Sequence, residues 1–399
     1  MLCLVVASMQ AAHAITLSEN CPPGFELIEG NRCALRSLYQ QYQNTPSPTS
    51  DQSNPGGGGL RTPLPPAREN FSPQQIDLGR YLFFDPILSR DGSIACASCH
   101  NPERGFADGK PHATGINGQA AARSAPSLWN VAFLKRLFWD GRASTLEEQM
   151  QGPLYADNEM GTTSVQLLKT LNAIDAYRNL FAQAFVDTPA TIEISEIYTA
   201  LAAFESSLIS LNSRYDQYAH GYHEALNKNE IEGLNVFRSF VARCAECHTP
   251  PLFTNQQIAV IGTPEPDGLP LDAGAQIPTG DKTLRGGFRV PSLRNVAMTA
   301  PYMHSGRFAT LREAAEFYTL GRGHAVPKDE HLALHWHIWE PQLTGAELDR
   351  LVDFLQTLTD ESFKPQTPRQ LPSGLTPVQT KQAVTGLEEK SYDTVHASN

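Results

Sequence analysis

The chain has 399 residues, room for one large or two ordinary domains, and its 41% hydrophobic content with 18% charged residues excludes a peptide scaffold and wholesale disorder. Its 29 Gly and 29 Pro predict long loops. A net charge of −11 supplies no basic face for phosphates, which argues against nucleic acid and anionic lipid as partners.

Residues 1–14, MLCLVVASMQAAHA, are apolar and close on Ala12-His13-Ala14, the small-x-small signature of a secretory signal peptide. Export to the periplasm is therefore expected, and no other segment reaches the ~20 apolar residues of a membrane span. Cys21 and Cys33 bracket the turn-rich CPPGFELIEGNRC, and an oxidising compartment favours a disulfide between them. Residues 44–66 form a Pro/Gly/Ser linker, so residues 15–66 are read as an extension tethered to the main body. That body opens at Ser72-Pro73-Gln74-Gln75, an N-cap followed by Pro and Gln, with Ile76, Leu78, Leu82 and Phe83 at helical spacing.

The helix leads to Cys96-Ala97-Ser98-Cys99-His100, and a second such string, Cys244-Ala245-Glu246-Cys247-His248, lies 148 residues on. C-x-x-C-H is the attachment site of c-type haem: two thiols bond the porphyrin and the adjacent imidazole ligates the iron. A shared four-Cys zinc site needs pairs ~15–20 residues apart, far less than the distance from Cys99 to Cys244. A thioredoxin-like redox pair needs a βαβ context, which is missing. Two covalent haems are expected. Further helix starts stand at Ser144-Thr145-Leu146-Glu147, Thr310-Leu311-Arg312-Glu313 and Thr344-Gly345-Ala346-Glu347, and Ile197, Leu201, Phe204 and Leu208 mark another helical stripe. The expectation is a mainly α protein of two c-type cytochrome-like haem domains with long loops, spanning residues 67–225 and 226–363, with a polar tail over 364–399. No residue-level repeat is expected beyond the two haem motifs.

Over roughly residues 72 to 360 the chain resembles the bacterial di-haem cytochrome c peroxidases and their relative MauG. The matching strings are LGRYLFFDPILSRDGSIACASCHNPERGFADG, RSAPSLWNVAF, RLFWDGRASTLEEQMQGPLYADNEMG, FRVPSLRNVAMTAPYMHSGRFATLREAAEFY and LTGAELDRLVDFLQTLT. The resemblance implies that His100 is the proximal ligand of a peroxide-reacting haem, with Gln149, Pro153 and Glu159 in its distal pocket and Trp139 between the haems. On residue type alone, Glu159 reads as a solvated loop acid and Trp139 as a core aromatic. A carboxylate such as Glu159 can take the proton from one peroxide oxygen and deliver it to the other.

For the second haem, with proximal His248, the resemblance places Tyr318 at the distal position, as in MauG, where cytochrome-fed peroxidases have Met. A phenolate oxygen favours oxidised iron, whereas a thioether favours ferrous iron and a higher potential. The competing reading makes Phe317 and Tyr318 the apolar face of a helix, with Met298 and Met303 as fallback ligands. The resemblance also implies a calcium ion between the haems. Thr299 and Pro301 match its carbonyl donors, and Ser124 stands where the family has Asn. The distal His of resting peroxidases has no match, since His112 is out of register, so an open first site is expected. Ala242 occupies the position of the surface Trp of MauG, and Trp336 and Trp339 read as core or haem-edge residues.

The expected function is a di-haem peroxidase that uses hydrogen peroxide to oxidise a redox partner protein, a protein substrate or a small electron donor. An ordinary cytochrome c peroxidase, fed by a small cytochrome or copper protein, is one alternative. A non-enzymatic di-haem electron carrier is the other.

Overall fold

In the computed structural model, residues 15–36, 64–186, 191–320, 323–336 and 342–378 are described. The expected signal peptide, most of the linker, Trp339 and the end of the chain lie outside them. A hairpin, β1 (Phe25–Ile28) and β2 (Arg32–Leu35), precedes seven helices: α1 (Pro73–Phe84), α2 (Cys96–Cys99), α3 (Leu146–Tyr155), α4 (Ser164–Asn172), α5 (Asp175–Ala184), α6 (Ile194–Ser206) and α7 (Arg214–Ala219). Then come α8 (Lys228–Phe237), α9 (Cys244–Cys247), β3 (Ile258–Val260), α10 (Gln276–Thr279), β4 (Gly287–Arg289), α11 (Leu311–Phe317) and α12 (Gly345–Gln356). The fold is mainly α, as the sequence predicts.

Local chemistry sets the helix starts. Ser72 accepts from the Gln75 amide at 3.1 Å while the Gln75 side chain accepts from the Ser72 amide at 3.0 Å, and Thr310 with Glu313 and Thr344 with Glu347 close the same reciprocal box. At α3 the cap is Thr145 rather than Ser144, whose amide and hydroxyl both donate to Glu148.

The two halves repeat each other. Gly79 on α1 lies against α6 so closely that a Cβ would sit 1.8 Å from the Ala200 carbonyl oxygen; Gly233 on α8 would meet the Arg350 carbonyl oxygen of α12 at 1.9 Å. Phe83 and Phe204 in the first half, and Phe237 and Phe354 in the second, close the two crossings with tilted ring contacts. Pro126-Ser127-Leu128-Trp129-Asn130-Val131-Ala132 recurs 165 residues later as Pro291-Ser292-Leu293-Arg294-Asn295-Val296-Ala297. Both Asn residues have positive φ, and each clamps the strand of chain leaving its half's last long helix. Asn130 holds the backbone of Ser210, and Asn295 that of Asp360, each with one donated and one accepted bond. The expectation of no repeat beyond the haem motifs is therefore corrected.

The halves divide earlier than the expected joint at 225/226. Tyr215 of α7 packs with Phe237, Phe253 and Phe354, and Asp216 pairs with the buried Arg294, so α7 belongs to the second core. The extension is docked on the body: Cys21 and Cys33 are bonded, and Phe25 and Cys33 pack with Ile76, Phe133 and Leu252. Nor does the polar tail leave at Lys364, for Leu371 is buried in the first core and Ser373 donates to Asp85. Among the described residues no helix is long and apolar enough to cross a membrane.

Candidate haem cavities

Each C-x-x-C pair forms a single helical turn, α2 or α9, so both thiols and the following imidazole face one cavity. None of the four thiols is in a disulfide. In the first cavity, of about 310 Å³, Cys96, Cys99 and His100 share the wall with Gln149, Pro153, Glu159 and Trp139. His100 Nδ1 lies 3.0 Å from the Phe106 carbonyl oxygen, which can only accept, so Nδ1 carries the proton and Nε2 keeps its lone pair for a metal. Burial lowers the imidazole pKa, which keeps it neutral and ligand-ready.

Gln149 and Pro153 come from α3, and Glu159 from the turn after it. That turn approaches Gly115 closely: a Cβ there would sit 2.1 Å from the Asn158 carbonyl oxygen and 2.6 Å from Glu159 Cα. Burial pushes the Glu159 carboxyl above its usual range, opposed by the Arg142 guanidinium. His100 is the one histidine lining this cavity among the described residues; His112 is elsewhere, its Nδ1 at 3.1 Å from the Ala121 carbonyl oxygen.

The second cavity, of about 280 Å³, is lined by Cys244, Cys247, His248 and Tyr318. His248 Nδ1 is within 3.0 Å of the Phe253 carbonyl oxygen and 3.1 Å of that of Pro291, so its Nε2 is likewise left free. Phe317 turns into the core against Phe308, whereas Tyr318 lines the cavity with no hydrogen-bond partner for its hydroxyl among the described residues, and burial raises its pKa. Met303 also lines this cavity and Met298 does not; Ala242 lines it too. Trp336 is 68% exposed and is no core residue, because it lies on a surface segment outside both cavities.

Ser124, Thr299 and Pro301 all line the second cavity. The Ser124 hydroxyl donates to the Met303 carbonyl at 3.1 Å, which leaves its lone pairs free. The three residues offer only uncharged oxygens, and no carboxylate joins them as lining residues, which fits a weakly held calcium ion at best.

Trp139 lines both cavities. Its indole N–H donates to the Ser124 carbonyl at 2.9 Å, and its own carbonyl accepts from the Arg289 amide at 2.7 Å. Ser124 and Arg289 are repeat-equivalent, so the two halves grip the tryptophan from matching positions. Among the lining residues that sequence reasoning missed, three stand out. Arg289 faces both cavities. His304 stacks on Phe288 and bonds Glu265 in the second. Glu205, in the first, has a buried Oε2 without a partner, and burial raises its carboxyl to about 8.

A mainly helical fold with two cavities, each carrying a free thiol pair beside a lone-pair-bearing imidazole, supplies the donor set that a di-haem c-type protein needs. Comparison with known proteins agrees. The family model for di-haem cytochrome c peroxidases matches residues 73–224. The methylamine utilization protein MauG of Methylophilus methylotrophus is 34% identical over 296 residues, covering 74% of this chain and 85% of that one. Cytochrome c551 peroxidase of Nitrosomonas europaea is 34% identical over 303 residues, covering 75% and 84%. Among solved structures, a MauG-like protein associated with microbial copper homeostasis superposes with a TM-score of 0.70 at 33% identity, over 77% of this chain and 96% of that one. The di-haem peroxidase BthA of Burkholderia thailandensis gives 0.63 at 28% identity, over 78% and 91%. The chain belongs to the di-haem cytochrome c peroxidase/MauG family and is a peroxidase.

Proposed function

We propose that the protein reduces hydrogen peroxide at the first cavity and keeps the second closed by Tyr318, in the manner the resemblance to MauG implies, drawing electrons from a redox partner protein, a protein substrate or a small donor. The observation that carries this reading is the repeat. Pro153 on α3 and Tyr318 at the end of α11 occupy equivalent positions, 165 residues apart, each seven residues after the equivalent Leu146 and Leu311. The proline side chain has no donor atom for a metal and leaves its cavity open, whereas the tyrosine side chain brings an oxygen to the other.

When bound, the haems supply the electrons of the balanced reaction, H2O2 + 2 H⁺ + 2 e⁻ → 2 H2O. The chain supplies the proton handling. Glu159 accepts the proton of the inner peroxide oxygen and returns it to the departing one, so that water leaves instead of hydroxide. Gln149 offers an amide to orient the peroxide. Trp139, touching both cavities, provides the aromatic path between them. The free Nε2 atoms of His100 and His248 would ligate the two irons, and Cys96, Cys99, Cys244 and Cys247 would bond the two porphyrins. An electron carrier alone has no use for a buried acid beside an open position. Export to the periplasm suits the Cys21–Cys33 disulfide. A calcium ion held by Ser124, Thr299 and Pro301 is a subordinate part of this proposal.

Tyr318→Phe is the test. The ring's packing is kept and the oxygen is lost, so the optical and paramagnetic resonance signature of the second haem is expected to change and its midpoint potential to rise, while the first haem keeps its spectrum. A second haem with unchanged spectrum and potential overturns ligation by Tyr318.

A further inference from the structure

Arg289 is 5% exposed and has no carboxylate partner among the described residues. Its neighbours in the cavity walls are paired: Arg123 with Asp140 and Asp272, Arg142 with Asp140, and Arg294 with Asp216. Among the described residues the Arg289 side chain makes two bonds, both long at 3.4 Å, to the carbonyl oxygens of Phe138 and Val290. A buried unpaired charge is costly, and proteins keep one only where something neutralises it. Burial pulls the guanidinium down to about 10, with no opposing carboxylate, so at neutral pH it remains a cation in search of an anion. Arg289 lines both cavities, its guanidinium group spanning from the carbonyl of Phe138, a residue of the first, to that of Val290, a residue of the second, and the strand pairing of β4 with β3 sets it opposite Ile258, fixing its backbone.

We infer that Arg289 is the shared propionate anchor of the protein, a positioning residue whose guanidinium binds a haem carboxylate at the boundary of the two cavities and whose charge holds both haem potentials up. The inference rests on the reading that both cavities carry haem. Haem propionates are the carboxylates that reading brings to these walls, and the planar fork of arginine matches a carboxylate with two parallel bonds. Because the same cation faces both cavities, it acts on both irons. The Arg289 backbone amide donates to the Trp139 carbonyl and its Nε to the carbonyl of the neighbouring Phe138, so the cation stands beside the tryptophan's segment, where a fixed positive charge disfavours leaving a positive hole on the indole.

The test uses the haem-loaded protein, wild type and the variants Arg289→Gln and Arg289→Lys, with haem counted by the pyridine haemochrome method and potentials read by spectroelectrochemistry. Arg289→Gln is expected to lower both midpoint potentials, and Arg289→Lys to lower them less. Unchanged potentials with both haems in place, or a shift in one haem alone, overturn the shared anchor; a lowered melting temperature with unmoved potentials reduces Arg289 to a structural role and overturns it equally. Should Arg289→Gln fail to hold both haems, Arg289→Lys decides by resonance Raman. Its propionate-bending bands are expected to shift as an ammonium replaces the fork, and unshifted bands overturn the proposal. Fewer than two haems in the wild type contradicts instead the haem reading on which this rests.

Discussion

Glu159→Gln is expected to slow peroxide reduction by roughly 10²–10⁴-fold, the usual worth of general acid–base catalysis. The substitution keeps size and hydrogen-bonding capacity and removes only the ionisable group. The wild-type rate carries a pH signature from the same residue. Burial raises the Glu159 pKa above the usual carboxylate value, and only the ionised form accepts a proton, so the rate is expected to fall as pH drops through that raised value. In Glu159→Gln this acid limb disappears. Both haem potentials stay put, because Glu159 is assigned to proton transfer and not to ligation. Rapid mixing of peroxide with the haem-loaded proteins reads rate and pH limb together, and equal rates remove Glu159 from the mechanism.

Gly233→Ala is expected to destabilise the second half by about 3 kcal/mol or more, although helix propensity alone predicts a gain of about 1 kcal/mol for replacing a mid-helix glycine. Packing wins because the added Cβ meets a backbone oxygen, that of Arg350 at 1.9 Å, and a backbone cannot rotate aside as a side chain does. The two helices must separate, which opens the Phe237–Phe354 contact beneath them. Thermal unfolding followed by circular dichroism tests this, with a loss of several degrees expected. A rise in melting temperature contradicts the crossing as described.

The haem-binding strings are legible because covalent attachment requires thiols and imidazole within one helical turn, which compresses the chemistry into five letters. Caps at Ser72, Thr310 and Thr344 are legible for a similar reason, since both partners of each bond lie within three residues. Glu159, Gln149 and Trp139 became readable only through resemblance, and the structure places all three around the first cavity. The internal repeat was hidden by its spacing. The haem motifs are 148 residues apart but the Pro-Ser-Leu segments 165, so no single offset aligns the halves. Arg289 and Glu205 carry no sequence signal, because what distinguishes them is a missing partner in three dimensions. Knowledge of the repeat would have singled out Arg289, as the counterpart of Ser124.

The central claim is an open first cavity and a second closed by the chain itself. Titrating the fully oxidised, two-haem protein with cyanide, followed by optical and paramagnetic resonance spectroscopy, tests it most directly. The account predicts one cyanide per chain, bound at the haem of Cys96, Cys99 and His100, and two per chain in Tyr318→Phe. Two cyanides bound by the wild type, or none, would contradict it.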